Sequence, residues 1–155
     1  MDVLFEWAEK EPYEIATEVE IDPAVLVEGG ISFASPPRVD AVLARQRDHF
    51  AVDGRISATM WVPCSRCLEN FLLDASKDVH LKLLPRPRFG RFVEIELTAE
   101  DMDTSFYAQE KLVLEDLITE QINLSLPMRP LCSPDCRGIC PTCGVDRNRF
   151  ACRCA

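Results

Sequence analysis

Eight cysteines carry the chemistry most directly legible in this chain, and they fall into four close pairs: Cys64/Cys67, Cys132/Cys136, Cys140/Cys143 and Cys152/Cys154. Eight thiolates complete two tetrahedral centres of four sulfurs, the closed coordination of structural zinc. Cys140-Pro141-Thr142-Cys143-Gly144 has the form of a zinc knuckle. Its tight turn aims both sulfurs at one ion, and the glycine after the second cysteine can take a positive φ. Cys152-Arg153-Cys154 lies close enough in sequence to close a ribbon-like site with that knuckle. Cys64 and Cys67 then share the other centre with Cys132 and Cys136. In the alternative pairing Cys132, Cys136, Cys140 and Cys143 hold one ion and the outer pairs share the second. Zinc, two ions per chain, is the expectation; a rubredoxin-type iron or an iron–sulfur cluster suits the same donor set. A redox dithiol lacks the βαβ context such chemistry uses. Disulfides fit such short spacings poorly.

The compartment bears on that choice. Met1 to Lys10 has neither a basic opening nor a long apolar run, so no secretory signal is expected. No apolar stretch approaches the roughly 20 residues that span a bilayer. A cytoplasmic, reducing setting follows as the expectation, and clustered cysteines there point to metal before disulfides. At 155 residues the chain can build a real core and does not need metal merely to fold. The formal charge of −9 is uneven. Residues 1–126 carry 12 basic and 24 acidic side chains, whereas residues 127–155 carry five arginines against Asp135 and Asp146. An acidic body of this kind is a poor footprint for tight, nonspecific nucleic-acid binding and suits a basic partner better.

The elements that must position the cysteines are mostly strands. Tyr13, Ile15, Thr17, Val19 and Ile21 alternate with Glu14, Ala16, Glu18 and Glu20, which predicts a half-exposed strand with an acidic outer face. Ser35-Pro36-Pro37 is a loop before a second strand, Val39 to about Arg45. Phe50, Val52, Gly54, Ile56, Ala58, Met60 and Val62 keep one phase. One reading makes Asp53-Gly54 a hairpin turn. The preferred reading is a single strand from Phe50 to Val62, with the turn at Gln46–His49 and a bulge at Gly54. Further strands are expected over roughly Asn70 to Leu84 and Phe92 to Leu97. Cys64-Ser65-Arg66-Cys67 then falls at a turn between strands. From Tyr107 to Asn123 the period becomes helical, with Leu114, Leu117, Ile118 and Ile122 on one face, and Pro127 and Pro130 close the region. The fold class is α+β: an antiparallel sheet, meander or partly closed barrel, with one C-terminal helix and a cysteine-rich, zinc-ribbon-like tail. The expected division is a body over 1–126 and a metal-binding tail over 127–155, packed on the body through Cys64 and Cys67.

Other chemistry is weaker. His49 in a turn and His80 in a strand read as ordinary imidazoles, not ligands. No nucleophile–base pair or phosphate loop appears, and Glu94/Glu96 line the wet face of a strand. Lys82, Arg86, Arg88 and Arg91 make a basic loop, a solvated connection or else a phosphate contact. Trp7 and Trp61 are expected to pack. A catalytic zinc needs an open position, and four complete cysteine pairs leave none, so no enzyme and no small-molecule substrate are expected.

Val62-Pro63-Cys64-Ser65-Arg66-Cys67-Leu68-Glu69, Leu124-Ser125-Leu126-Pro127, and the run from Leu131 through Cys132, Cys136, Cys140 and Cys143 to Gly144, with Asn148 following, resemble the bacterial YceD-like family. The resemblance is specific from about residue 39 onward. It implies a role in accumulation or processing of large-subunit (23S) ribosomal RNA, hence ribosome assembly, without an established catalytic activity. The implied partner is the pre-ribosomal large subunit, met through rRNA or a basic ribosomal protein. The other reading is a zinc-ribbon adaptor acting through protein–protein contacts outside ribosome assembly.

Overall fold

The period-two segments form strands divided among three sheets in a computed structural model that describes residues 1–26, 29–86 and 103–154. In chain order the strands are β1 (Asp2–Leu4), β2 (Tyr13–Glu18), β3 (Ser32–Phe33), β4 (Arg38–Arg45), β5 (Phe50–Ser57), β6 (Thr59–Pro63), β7 (Asn70–Asp74), β8 (Lys77–Pro85), β9 (Thr104–Tyr107) and β10 (Lys111–Val113). One helix, α1 (Leu114–Ser125), follows β10 directly. The main sheet has the order β2-β4-β5-β8-β9, a smaller one the order β3-β6-β7, and β1 pairs with β10. The architecture is α+β, with mostly antiparallel strands, one C-terminal helix and a cysteine-rich C-terminal tail. The exception to the antiparallel rule is β9, which runs parallel to β8.

β2 shows why alternation forms a strand here. Ile15 is buried and Val19 just beyond the strand is buried, while Glu14, Ala16 and Glu18 face water. β4 repeats the pattern with Val39, Ala41 and Leu43 inward. The turn between β4 and β5 is closed by the Gln46 amide donating to the His49 carbonyl at 2.8 Å.

The expected long strand from Phe50 to Val62 keeps its phase throughout but breaks at Ala58. β5 belongs to the main sheet and β6 to the small one. The expected strand Asn70–Leu84 breaks at the matching level, between Asp74 and Lys77. The two breaks are tied together: Ala75 N–H donates to Ala58 C=O at 2.9 Å, and Ala58 N–H donates to Ser76 Oγ at 3.2 Å. One long hairpin thus bends in both strands at once and passes from sheet to sheet, with buried alanines at the bend. Alternation does not register such a bend, because inward positions stay inward across it.

Gly54 is neither a hairpin turn nor a bulge. It pairs in unbroken register with Ala41 on one side and Val79 on the other. A Cβ there would lie 2.4 Å from Ala41 Cα and Cβ and from the Asp40 carbonyl oxygen. The glycine permits close approach of β4 to β5.

The helical period was expected from Tyr107, but Thr104–Tyr107 and Lys111–Val113 are strands and the helix begins at Leu114. Pairing of β10 with β1 overrides local propensity there. Leu114, Leu117, Ile118 and Ile122 are buried, as their spacing requires, and Gln121 joins them. They complete one core with Val39, Leu43, Val52, Ile56, Val79 and Leu83 of the sheet. Each fully buried Leu or Ile contributes about 1.5–3 kcal/mol. Trp7 and Trp61, expected to pack, are each 44% exposed. The strand expected at Phe92–Leu97, with Glu94 and Glu96, lies outside the described residues, as do Arg88 and Arg91 of the basic loop.

Candidate metal centres

The β6–β7 hairpin presents its tip to the tail that follows α1. At the tip the Cys64 amide donates to the Glu69 carbonyl at 3.0 Å, continuing the ladder past the Pro63–Asn70 pair. The Leu68 amide then donates to Cys64 C=O at 3.0 Å, closing a knuckle. This closure requires φ +64° at Leu68, the left-handed region that L-residues avoid. The second knuckle repeats the device: Gly144 N–H donates to Cys140 C=O at 2.8 Å, with φ +72° at Gly144. Glycine meets that conformation without the Cβ cost.

The sulfurs of Cys64, Cys67, Cys132 and Cys136 lie within 4.8 Å of one another, and so do those of Cys140, Cys143, Cys152 and Cys154. The hairpin pair is therefore gathered with the pair that follows the helix, and the two distal pairs with each other. Sulfur–sulfur distances are 3.7 Å for Cys64–Cys136, 3.7 Å for Cys67–Cys132, 3.6 Å for Cys143–Cys152 and 3.3 Å for Cys140–Cys152. Four thiolates at about 2.3 Å from a tetrahedral ion would stand about 3.8 Å apart. The spacing fits such an ion well at the first group and a little tightly at the second. Both groups can hold a metal ion.

Neighbouring donors tune the sulfurs unequally. Burial raises the Cys64 thiol, but amides of Cys67, Cys132 and Arg66 more than offset this and bring it down to about 6. The Arg66 and Cys132 amides stand 3.5 and 3.4 Å from that sulfur. Cys132 is exposed as a residue, yet desolvation of its sulfur and crowding by Cys136, Cys67 and Cys64 push its thiol up to about 12. In the second group the amides of Cys143 and Thr142, with the Cys152 thiol, lower Cys140 to about 6. Cys143 and Cys152 push Cys154 up to about 12. Four crowded sulfurs resist joint ionisation unless a cation spreads their charge, which is how a metal inverts the local proton balance.

The groups differ in setting. Cys64, Cys67 and Cys136 are buried and form a small apolar cluster with Phe71 and Leu131 against them. Backbone bonds stitch the hairpin tip to the tail: Ser65 N–H to Pro130 C=O at 2.8 Å, and Ile139 N–H to Arg66 C=O at 3.1 Å. The Arg66 guanidinium adds a bond to Cys136 C=O at 2.9 Å. In the second group only Cys140 is buried. It hangs from an isolated bridge between Ile139 and Asp146, reinforced by Arg147 N–H to Gly138 C=O at 2.9 Å.

Arg66 and Asn148 matter here in ways no spacing pattern announces. The Asn148 side chain donates to Cys136 Sγ at 3.3 Å and accepts from the Arg137 amide at 2.7 Å, so it ties the loop between Cys143 and Cys152 to a sulfur of the first group. Outer bonds of this kind orient ligands. The histidines stand apart from the sulfurs: His49 pairs with Asp48 and His80 with Asp53, whose hydrogen bond raises the His80 pKa. Lys82 lies on β8, and the Arg86 amide donates to Tyr107 C=O just beyond it.

A family model described as "Large ribosomal RNA subunit accumulation protein YceD" matches residues 52–155, a span that includes every cysteine. Uncharacterized proteins from Mycobacterium tuberculosis and Mycobacterium bovis are each 33% identical over 94 residues, covering 61% of this chain and 43% of theirs. One from Mycobacterium leprae is 24% identical over 117 residues, covering 75% of this chain and 51% of its own. The chain spans about half the length of these relatives. No solved structure matches.

Proposed function

The chain belongs to the YceD family of large ribosomal RNA subunit accumulation proteins, and from that premise we propose that it is a non-enzymatic, cytoplasmic ribosome-assembly factor. It supports accumulation or processing of large-subunit rRNA and joins the pre-ribosomal large subunit through rRNA or a basic ribosomal protein. The observation that carries the reading is the family match over all eight cysteines, together with their gathering into two groups of four.

In this reading Cys64, Cys67, Cys132 and Cys136 hold one zinc ion, and Cys140, Cys143, Cys152 and Cys154 hold another. Zinc bound so would supply a crosslink and no chemistry, because four protein ligands close the coordination sphere. The tail, residues 127–155, is then a metal-binding appendage fastened to the body through the hairpin tip. Elemental analysis beside native mass measurement tests this part: two zinc ions per chain are expected, and one ion or an iron–sulfur chromophore would overturn it.

The assembly role is tested by sedimenting a cell lysate. The protein should travel with immature large subunits and leave mature ribosomes. A second reading, a protein–protein adaptor outside ribosome assembly, draws support from Trp61 and Leu72. They face each other across β6 and β7 on the outer face of the small sheet, 44% and 52% exposed. Absence from every ribosomal fraction would favour that adaptor. No described helix is long and apolar enough to cross a membrane.

A further inference from the structure

Beside the second cysteine group lies a cleft of about 430 Å³, lined by Arg137, Thr142, Arg147 and Phe150 together with backbone and sulfurs of the tail. Its walls contain no acidic side chain among the described residues. That is unusual in a protein with a formal charge of −9. Two nearby arginines are engaged elsewhere: Arg66 holds Cys136 C=O, and Arg149 pairs with Glu69 and Asp146. The guanidiniums of Arg137 and Arg147 have no ion pair or hydrogen bond among the described residues, and they donate to no sulfur of the adjacent group. Their backbones, by contrast, are fixed, Arg137 N–H on Asn148 Oδ1 and Arg147 N–H on Gly138 C=O. Two guanidiniums without a carboxylate partner therefore stand on a rigid frame at one cleft, where they face a thiolate centre rather than an acidic side chain. Phe150 lines the same cleft and is left 62% exposed although its amide is anchored on Asp146 C=O.

We propose that this cleft binds a single-stranded RNA nucleotide, its base on Phe150 and its phosphate between Arg137 and Arg147. The chemistry is that of single-strand recognition, in which an aromatic ring takes any base on its π-face and arginines take the backbone charge. A cleft of this volume suits one nucleotide unit whose base is free of a stack. An acidic peptide would satisfy the arginines but would leave the exposed ring unused. The confinement of binding to one cleft also reconciles RNA contact with a body that repels RNA at large. This inference rests on the ribosomal-RNA reading above and narrows it to a contact.

The test uses the full zinc-loaded chain, with anisotropy of a short fluorescein-labelled single-stranded RNA of mixed sequence. Phe150→Ala should weaken binding about 5- to 150-fold, the range of one lost base stack, while Phe150→Tyr keeps it. Arg137→Gln and Arg147→Gln should each weaken it and lower the slope of log affinity against log salt by about 0.7. Zinc content is measured on every variant; Phe150→Ala, if it loses metal, is replaced by Phe150→Leu, which keeps the bulk without the π-face, and a metal-losing arginine variant by Arg137→Met or Arg147→Met. Unchanged affinity in metal-replete variants overturns the proposal, as does equal binding of the duplex form or equal displacement by polyglutamate. Failure of the wild-type chain to bind the RNA overturns it too. Lysate sedimentation, run separately, judges the assembly role: a chain that travels with immature subunits yet ignores the RNA retains that role and loses this contact.

Discussion

The two cysteine groups are built on the same knuckle but are mounted differently. The first joins sequence-distant pieces, sits on the end of a bent hairpin, and buries three of its four cysteines. The second is local, hangs from one isolated bridge, and leaves Cys143 and Cys154 exposed and Cys152 half-buried. Identical donor sets therefore serve unequal ends. A metal at the first would fasten the tail to the body, whereas a metal at the second would shape a few terminal residues around the arginine-lined cleft.

The strongest way to break this comparison is Cys64→Ser. Structural zinc binding is worth on the order of 10–16 kcal/mol in peptides, so losing a ligand at the first group should detach the tail. Zinc content should fall from two ions to one, and hydrogen-exchange protection should vanish at Ser65, Cys136 and Ile139 amides, whose bonds cross or brace the junction. Cys154→Ser should also cost an ion while leaving those amides protected. If the two variants behave alike, the groups are not mounted differently.

Chelation sharpens the contrast without mutation. A chelator titration followed by native mass measurement should accumulate a one-zinc species, with the ion retained at the buried first group. Concerted loss of both ions would mean that the link through Asn148 couples them tightly.

Gly138 is the joint between the groups. It holds φ +68°, and an added Cβ would come within 2.9 Å of Arg66 C=O. Gly138→Ala should cost about 2 kcal/mol, seen as a lower denaturation midpoint, and should weaken the Ile139–Arg66 bond without changing zinc stoichiometry. Loss of an ion in this variant would show that the joint forms part of a centre.

The smallest effect compares the knuckles themselves. Leu68 is 65% exposed at φ +64°, so Leu68→Gly removes strain with little loss of packing and should stabilise by about 0.5–1 kcal/mol. Gly144→Ala has open space around the new Cβ, yet φ +72° should make it cost about 1 kcal/mol in the other direction. Chemical denaturation resolves both, and equal signs would mean that the turns are not equivalent.

Much of this arrangement was legible beforehand, for identifiable reasons. Cysteine spacing reports chemistry directly, and the position of Cys64 and Cys67 at a hairpin tip followed from alternation on either side. The grouping of that pair with Cys132 and Cys136 rested on the closeness of Cys152 and Cys154 to the knuckle at Cys140 and Cys143, which left the pair just after the helix. What stayed hidden was information carried by pairing. The bend at Ala58 and Ala75 leaves the inward phase intact, and the glycine at 54 answers to a neighbour, Ala41, that local sequence does not reveal. The start of the helix was misplaced because β10 is held extended by β1, far away in the chain. Arg66 and Asn148 act through backbone carbonyls, amides and sulfurs brought close only by the fold.

The β1–β10 pairing also fixes an order of events in time. Val3 and Phe5 belong to the core, and the strand beside them finds its partner only at Lys111–Val113. During synthesis at about 5–20 residues per second, the leading strand must wait on the order of ten seconds for that partner to emerge. The hairpin tip waits for a shorter interval, with 65 residues between Cys67 and Cys132 against 109 between Asp2 and Lys111, yet it is completed last because Cys132 and Cys136 follow β10. Through that interval the nascent chain carries a bare strand and a thiol pair without its partners, open to aggregation and to stray oxidation.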